Sequence, residues 1–183
     1  MILCLIGPSG SGKTTVGTIL KEKGIPEIIS HTTRAPRIGE VDGVSYHFVN
    51  NDQFETLRKI EEVTYAGNRY CTSKDEIEEK MKESNMLFCV VTKDGYKALR
   101  DVYGEAVISI YLETSISLCL QRMKDRGDTR ENIEKRKKTL LNEKKMREYE
   151  KFDYIVENNG DLESLKENVD NLLNHLLSHS QEG

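Results

Sequence analysis

The chain has 183 residues, enough for one domain, or one domain with a small insert, to bury a core without disulfide or metal staples. Its 27 basic and 31 acidic residues leave a net charge of −4, which argues against a globally basic nucleic-acid binder, and no apolar run approaches the roughly 20 residues of a membrane helix. Recurrent apolar blocks argue against disorder, and the apolar start Met1–Ile6 is too short for a secretory signal and lacks its basic start, so the chain is expected in the cytoplasm.

In chain order, Met1–Ile6 reads as a buried strand from its continuous apolar character, and Lys13–Lys23 as a helix ended by Gly24. Pro26–Ile29 fits a second short strand. Residues 31–72 break this rhythm with Pro36, Gly39, Gly43 and Gly67 and short β-like pieces at Tyr46–Val49 and Val63–Ala66, as an insert with its own small sheet would. Ser73-Lys74-Asp75-Glu76 is a capping box opening a helix to about Glu83. A strand at Met86–Val91, a helix at Gly95–Val102, a strand at Ala106–Leu112 and a helix at Ser115–Lys124 follow. After a charged loop, a long charged helix runs to about Tyr149, then a strand at Tyr154–Val156 and a helix at Asp161–Leu177. Alternating strands and helices predict an α/β fold with a parallel sheet covered on both faces. Cys4, Cys71, Cys89 and Cys119 form no CxxC pair, and Cys4, Cys89 and Cys119 lie in apolar runs, as buried reduced thiols do.

Gly7-Pro8-Ser9-Gly10-Ser11-Gly12-Lys13-Thr14 matches the phosphate-loop pattern G-x-x-x-x-G-K-[ST], with a strand before it and a helix after it. Glycines let the backbone approach a phosphate, and the helix N-terminus points free N–H groups at the anion. Lys13 reaches the β- and γ-phosphates, and the Thr14 hydroxyl ligates Mg²⁺. Thr15 continues the expected ATP site.

The insert carries Arg34-Ala35-Pro36-Arg37, two arginines on a stiffened backbone that suit a bidentate grip on a second phosphate. The phenols of Tyr46 and Tyr70 are able to donate to that phosphate. Glu61 is suited to accept from the N–H edge of a base, with Ser30 or Thr72 assisting. From Arg122 to Lys151 there are 12 Lys or Arg against 7 Asp or Glu, as in a basic segment closing over polyphosphate.

With the phosphate loop ahead of it, the run Thr32-Thr33-Arg34-x-Pro36-Arg37-x-Gly39-Glu40-x-x-Gly43-x-x-Tyr46-x-Phe48-Val49 resembles the monophosphate-binding region of guanylate kinases. The resemblance continues through Glu61, Gly67-Asn68-Arg69-Tyr70, Arg122, Arg126-Gly127 and Arg136, and covers most of residues 1–160. It implies a P-loop kinase in which residues 1–30 and 84–183 form the core, about 122–140 the helical lid and 31–83 a mixed α+β insert for the monophosphate. It further implies ATP-dependent phosphorylation of GMP to GDP with Mg²⁺, by a monomer or homodimer. By position, Ser30, Glu61 and Thr72 would face guanine, and Arg34, Arg37, Tyr46 and Tyr70 would hold the GMP phosphate. Lys13, Arg126 and Arg136, with Arg122 as a further candidate, would neutralise the transferring phosphoryl group. Asn158, in the turn after the last strand, would lie near the adenine.

Four features depart from the family. Val90 and Thr92 stand where it carries Asp-x-Asp, Cys71 where it has Gly, and Asn68-Arg69 where it has a second aromatic before Tyr70, and the lid is one residue shorter between Gly127 and Arg136. Two other readings accommodate these departures: a related kinase with a different phosphate acceptor, and a guanylate-kinase-like binding domain that has lost catalysis. The intact phosphate loop argues against the second.

Overall fold

A computed structural model describes residues 1–65, 67–147 and 151–179. Strands β1 (Ile2–Ile6), β6 (Leu87–Val90), β7 (Val107–Glu113) and β8 (Tyr154–Glu157) form a parallel sheet in the order β6-β1-β7-β8. β1 is buried along its whole length, which is why it reads as a continuous apolar run rather than an alternating one. The chain divides into two compact units, Met1–Cys4 with Lys23–Ile108 and Leu5–Glu22 with Ser109–Gly183.

The first unit contains a second sheet, in the order β3-β2-β5-β4. β2 (His31–Thr32) pairs in parallel with β3 (His47–Phe48) and antiparallel with β5 (Asn68–Ser73); β4 (Lys59–Tyr65) and β5 are antiparallel, with Glu61 opposite Thr72 and Val63 opposite Tyr70. β4 is thus longer than the expected piece at Val63–Ala66, of which Ala66 lies outside the described residues. The sequence does not predict α2 (Asn51–Thr56), although its signal is present: Asn50 and Gln53 make a reciprocal capping box. α3 (Lys74–Glu83) starts at Ser73, whose hydroxyl accepts from the Glu76 N–H. The expected return bond from the Glu76 carboxylate is replaced, since that group accepts from the Ile29 N–H at 3.1 Å and meets His47. The strand predicted at Pro26–Ile29 is reduced to a single bridge, Glu27 to Phe88, in which the Ile28 N–H donates to the Phe88 carbonyl at 2.8 Å and the Phe88 N–H to the Pro26 carbonyl at 3.0 Å; Pro26 has no N–H with which to extend the pairing. α4 (Lys93–Tyr103) begins before the expected Gly95 because Thr92 caps it. Phe54, Ile77, Leu87, Phe88 and Leu99 are fully buried and form this unit's interior.

In the second unit, α1 (Lys13–Glu22) follows the loop after β1 and buries Val16, Ile19 and Leu20. α5 (Ile116–Asp125) is capped by Ser115. α6 (Arg130–Arg147) buries Ile133 and Leu140 against Cys119 and Met123 of α5; its expected end near Tyr149 lies outside the described residues. β8 lies parallel to β7 with Leu112 opposite Val156, and α7 (Leu162–His179) closes the chain through Leu165, Val169, Leu172 and Leu176. All four cysteines are free and buried, as the apolar runs around Cys4, Cys89 and Cys119 imply. Among the described residues, no helix is long and apolar enough to cross a membrane.

Candidate active site

The loop Gly7–Gly12 joins β1 to the N-terminus of α1, where the first turn of N–H groups has no intrahelical acceptor. Gly12 has φ +98°, and a Cβ there would lie 2.2 Å from Asn158 Nδ2, so the position demands glycine on both counts. Asn158 is itself 4% exposed. Its amide donates to the Ser11 carbonyl at 2.7 Å, which ties the end of β8 to the loop. Thr114 Oγ1 donates to the same carbonyl at 3.1 Å. Lys13 Nζ donates to the carbonyls of Gly7 at 2.6 Å and Pro8 at 2.9 Å, so its ammonium lies across the loop. The Thr14 and Thr15 side chains are exposed at the start of α1.

Three arginines reach this loop. Arg122 and Arg126 are four residues apart and share a face at the end of α5. Arg122 donates to the Gly10 carbonyl at 3.4 Å and to Asn158 Oδ1 at 3.2 Å. Arg126 Nη2 and Arg136 Nη1 both donate to Ser9 Oγ, at 3.4 and 2.6 Å. Arg126 is placed by the turn that ends α5: Gly127 has φ +88°, and the Asp128 N–H returns to the Met123 carbonyl. The same turn brings the Asp128 carboxylate onto Arg126 at 2.8 and 2.6 Å, which holds the Asp128 carboxyl below its ordinary value. Neither this counter-ion nor the grip of Arg122 on Gly10 is among the sequence expectations; the two-residue spacing of Arg126 and Asp128 is the available signal.

A second cluster lies in the first unit. Arg34 Nη2 meets Glu40 Oε1 at 2.8 Å, and its guanidinium sits 5.5 Å from the ring centre of Tyr46 and 5.8 Å from that of Phe48. Tyr70 is close enough to act electrostatically on Arg34, and its ring meets Tyr46 edge-on at 5.8 Å. Glu40 raises the pKa of Arg34, and burial raises that of the Tyr46 phenol, so both keep their protons. The structure therefore gathers Arg34, Tyr46 and Tyr70. Arg37 is in the exposed turn, close enough to act electrostatically on Tyr46 and Glu40.

Glu61 and Thr72 face each other across β4 and β5. Glu61 Oε1 accepts from the Thr72 N–H at 3.2 Å and from its hydroxyl at 3.1 Å. Burial pushes the Glu61 carboxyl above its ordinary value, while the bonds from Thr72 pull it back in part. Ser30 is one residue before the paired His31 and Cys71, and Thr72 one residue after that pair. Cys71 is fully buried, and burial pushes its thiol up to about 12, so it supplies no thiolate. Thr92 Oγ1 accepts from the Gly95 N–H at 3.1 Å as the cap of α4, and Val90 ends its strand 39% exposed. Neither position carries charge. His31 and His47 stack at 4.6 Å, and His47 Nε2 lies 2.9 Å from Glu76 Oε2, so these histidines belong to the framework of the insert.

The family described as guanylate kinase matches residues 1–176. The chain is 39% identical to a guanylate kinase of Helicobacter pylori, over 91% of its own length and 82% of that protein. It is 33% identical to one from Bacillus subtilis, over 87% of its length and 81% of that protein. A crystal structure of guanylate kinase from Anaplasma phagocytophilum superposes with TM-score 0.70 at 27% identity, covering 98% of this chain and 85% of that one.

Proposed function

Because the chain belongs to the guanylate kinase family and catalyses ATP-dependent phosphorylation of GMP, we propose that its two arginine clusters divide the two phosphate groups between them. The loop Gly7–Thr14, with Thr15, holds the ATP phosphates through its N–H groups, and Lys13 turns from the Gly7 and Pro8 carbonyls to the β- and γ-phosphates. Asn158 and Arg122 keep the loop in shape from the ATP side. Arg126 and Arg136, both already at Ser9, neutralise the transferring phosphoryl group. Residues 1–30 and 84–183 act as the core, about 122–140 as the lid that excludes water, and 31–83 as the acceptor insert.

Arg34, Arg37, Tyr46 and Tyr70 grip the GMP phosphate, while Ser30, Glu61 and Thr72 read guanine. A carboxylate on Glu61 accepts from the N–H groups of the base edge. An oxygen of the GMP phosphate then attacks the γ-phosphorus in line as the bond from the γ-phosphorus to the β–γ bridging oxygen breaks, giving GDP and ADP with little need for a general base. Mg²⁺ fits the oxygen chemistry of the exposed Thr14 hydroxyl, with phosphate oxygens and water completing its shell. When bound it offsets charge on the β- and γ-phosphates. We infer a monomer or homodimer acting on free nucleotides in the cytoplasm.

The Tyr46 and Phe48 rings beside the Arg34 guanidinium, with Tyr70 edge-on to Tyr46, carry this reading. Its test is ADP release with ATP, Mg²⁺ and a panel of GMP, dGMP, AMP, UMP and CMP. Turnover confined to the guanine nucleotides is expected. Equal turnover with AMP would remove Ser30, Glu61 and Thr72 from the role of base readers.

A further inference from the structure

We propose that Glu40 is the positioning residue of the acceptor clamp, holding both the Arg34 guanidinium and the 34–40 turn in the geometry that receives a monophosphate. This deepens the reading of Arg34 as a ligand of the GMP phosphate and rests on it. Both carboxylate oxygens are engaged. Oε1 accepts from Arg34 Nη2 at 2.8 Å, and Oε2 accepts from the Arg37 backbone N–H at 2.7 Å. The Glu40 N–H returns to the Arg37 carbonyl at 3.0 Å, closing a tight turn across Ile38 and Gly39. One side chain therefore fixes the backbone of Arg37 and the side chain of Arg34 together.

An ordinary surface ion pair is worth little, because two long side chains must be ordered against water and salt. This pair differs, since the Arg34 and Glu40 side chains are only 12% and 22% exposed. The remaining edge and face of the guanidinium are also held: Nη1 donates to the Ala35 carbonyl at 2.8 Å, and Tyr46 and Phe48 flank the group. Holding Arg34 before the ligand arrives reduces the entropy lost when a phosphate binds.

A carboxylate this close to the clamp also repels a phosphate. The two roles predict opposite signs. If Glu40 positions Arg34, removing its charge weakens monophosphate binding; if it merely occupies the anion site, removing it strengthens binding. The double hold on Arg34 and the Arg37 backbone favours the first.

The experiment is steady-state kinetics of the full chain with ATP and GMP, for wild type, Glu40→Gln, Glu40→Asp, Arg34→Ala and the Glu40→Gln/Arg34→Ala double variant. Glutamine retains the shape and one acceptor oxygen; aspartate retains the charge and both oxygens on a shorter arm. The expected result for Glu40→Gln is a KM for GMP raised about tenfold or more, the effect of losing a charged hydrogen bond. Its kcat stays within about threefold and its KM for ATP is unchanged. Glu40→Asp falls between wild type and Glu40→Gln, and in the Arg34→Ala background Glu40→Gln adds little. An unchanged or lowered KM for GMP, a parallel rise for ATP, or full additivity with Arg34→Ala would overturn the proposal while leaving the acceptor assignment standing. Absence of GMP turnover in the wild type would overturn that assignment, and this proposal with it.

Discussion

The two regions proposed to bind phosphate would solve one problem with opposite means. The loop Gly7–Thr14 uses backbone: a helix N-terminus, glycine at Gly12 where Asn158 leaves no room for a side chain, and one lysine. The proposed acceptor cluster uses side chains, with Arg34 from the bend after β2, Tyr70 from β5 and Tyr46 from the turn before β3. A backbone site is contiguous in sequence and tolerates few changes. A side-chain site is dispersed, and its selectivity is adjustable residue by residue. In both, an acidic side chain sits on an arginine, Asp128 on Arg126 and Glu40 on Arg34, but only Glu40 also holds backbone through its second oxygen.

The comparison breaks most visibly at Lys13. Lys13→Ala is expected to lower kcat by about 10²–10³-fold, the range for losing one preorganised charge stabiliser, with KM for GMP little changed. A comparable loss of GMP affinity would show that the two regions do not work separately.

A smaller effect concerns Glu61. The pKa of its carboxyl is raised by burial, and the base-reading role proposed for it needs the ionised form. KM for GMP is therefore expected to rise as pH falls, starting above the ordinary carboxylate range, while KM for ATP stays flat. Glu61→Gln should raise KM for GMP and abolish that pH dependence. A pH profile unchanged in Glu61→Gln would assign the titration to another group.

The smallest effect is in the framework. Hydrogen bonding to Glu76 raises the pKa of His47, so protonation is favoured in the folded state. Stability from this pair is fully present below the ordinary histidine pKa of about 6.5 and is lost as pH rises through the raised value. Thermal unfolding of Glu76→Gln should thus show a loss on the order of 1 kcal/mol at pH 5.5 that shrinks by pH 8.5. A loss that grows with pH would reverse the assigned protonation.

Legibility in the sequence followed the same division. The phosphate loop was readable because its residues are adjacent and its chemistry belongs to the backbone. Buried β1 and the alternation after Met86 were readable because continuous apolar runs and helical periods are strong signals. The insert was less so: β4 carries Lys59, Glu61 and Glu62, which mask its pattern, and ahead of the insert the Pro26–Ile29 segment forms a single bridge because Pro26 has no N–H to extend it. Arg34 and Tyr70 were identifiable as residue types, but the hold of Glu40 on Arg34 depends on a closed turn that spacing does not reveal. Likewise, the junction of Arg122, Asn158 and Gly10 is made by tertiary packing alone.

The most direct measurement is calorimetric binding of GMP, and separately of ATP, to the wild type and Arg34→Ala. The account predicts that Arg34→Ala weakens GMP binding by about tenfold or more and leaves ATP binding unchanged, as loss of a bidentate guanidinium contact requires. Unchanged GMP affinity in Arg34→Ala, or an equal loss for both nucleotides, would contradict the division of the two phosphates between the two regions.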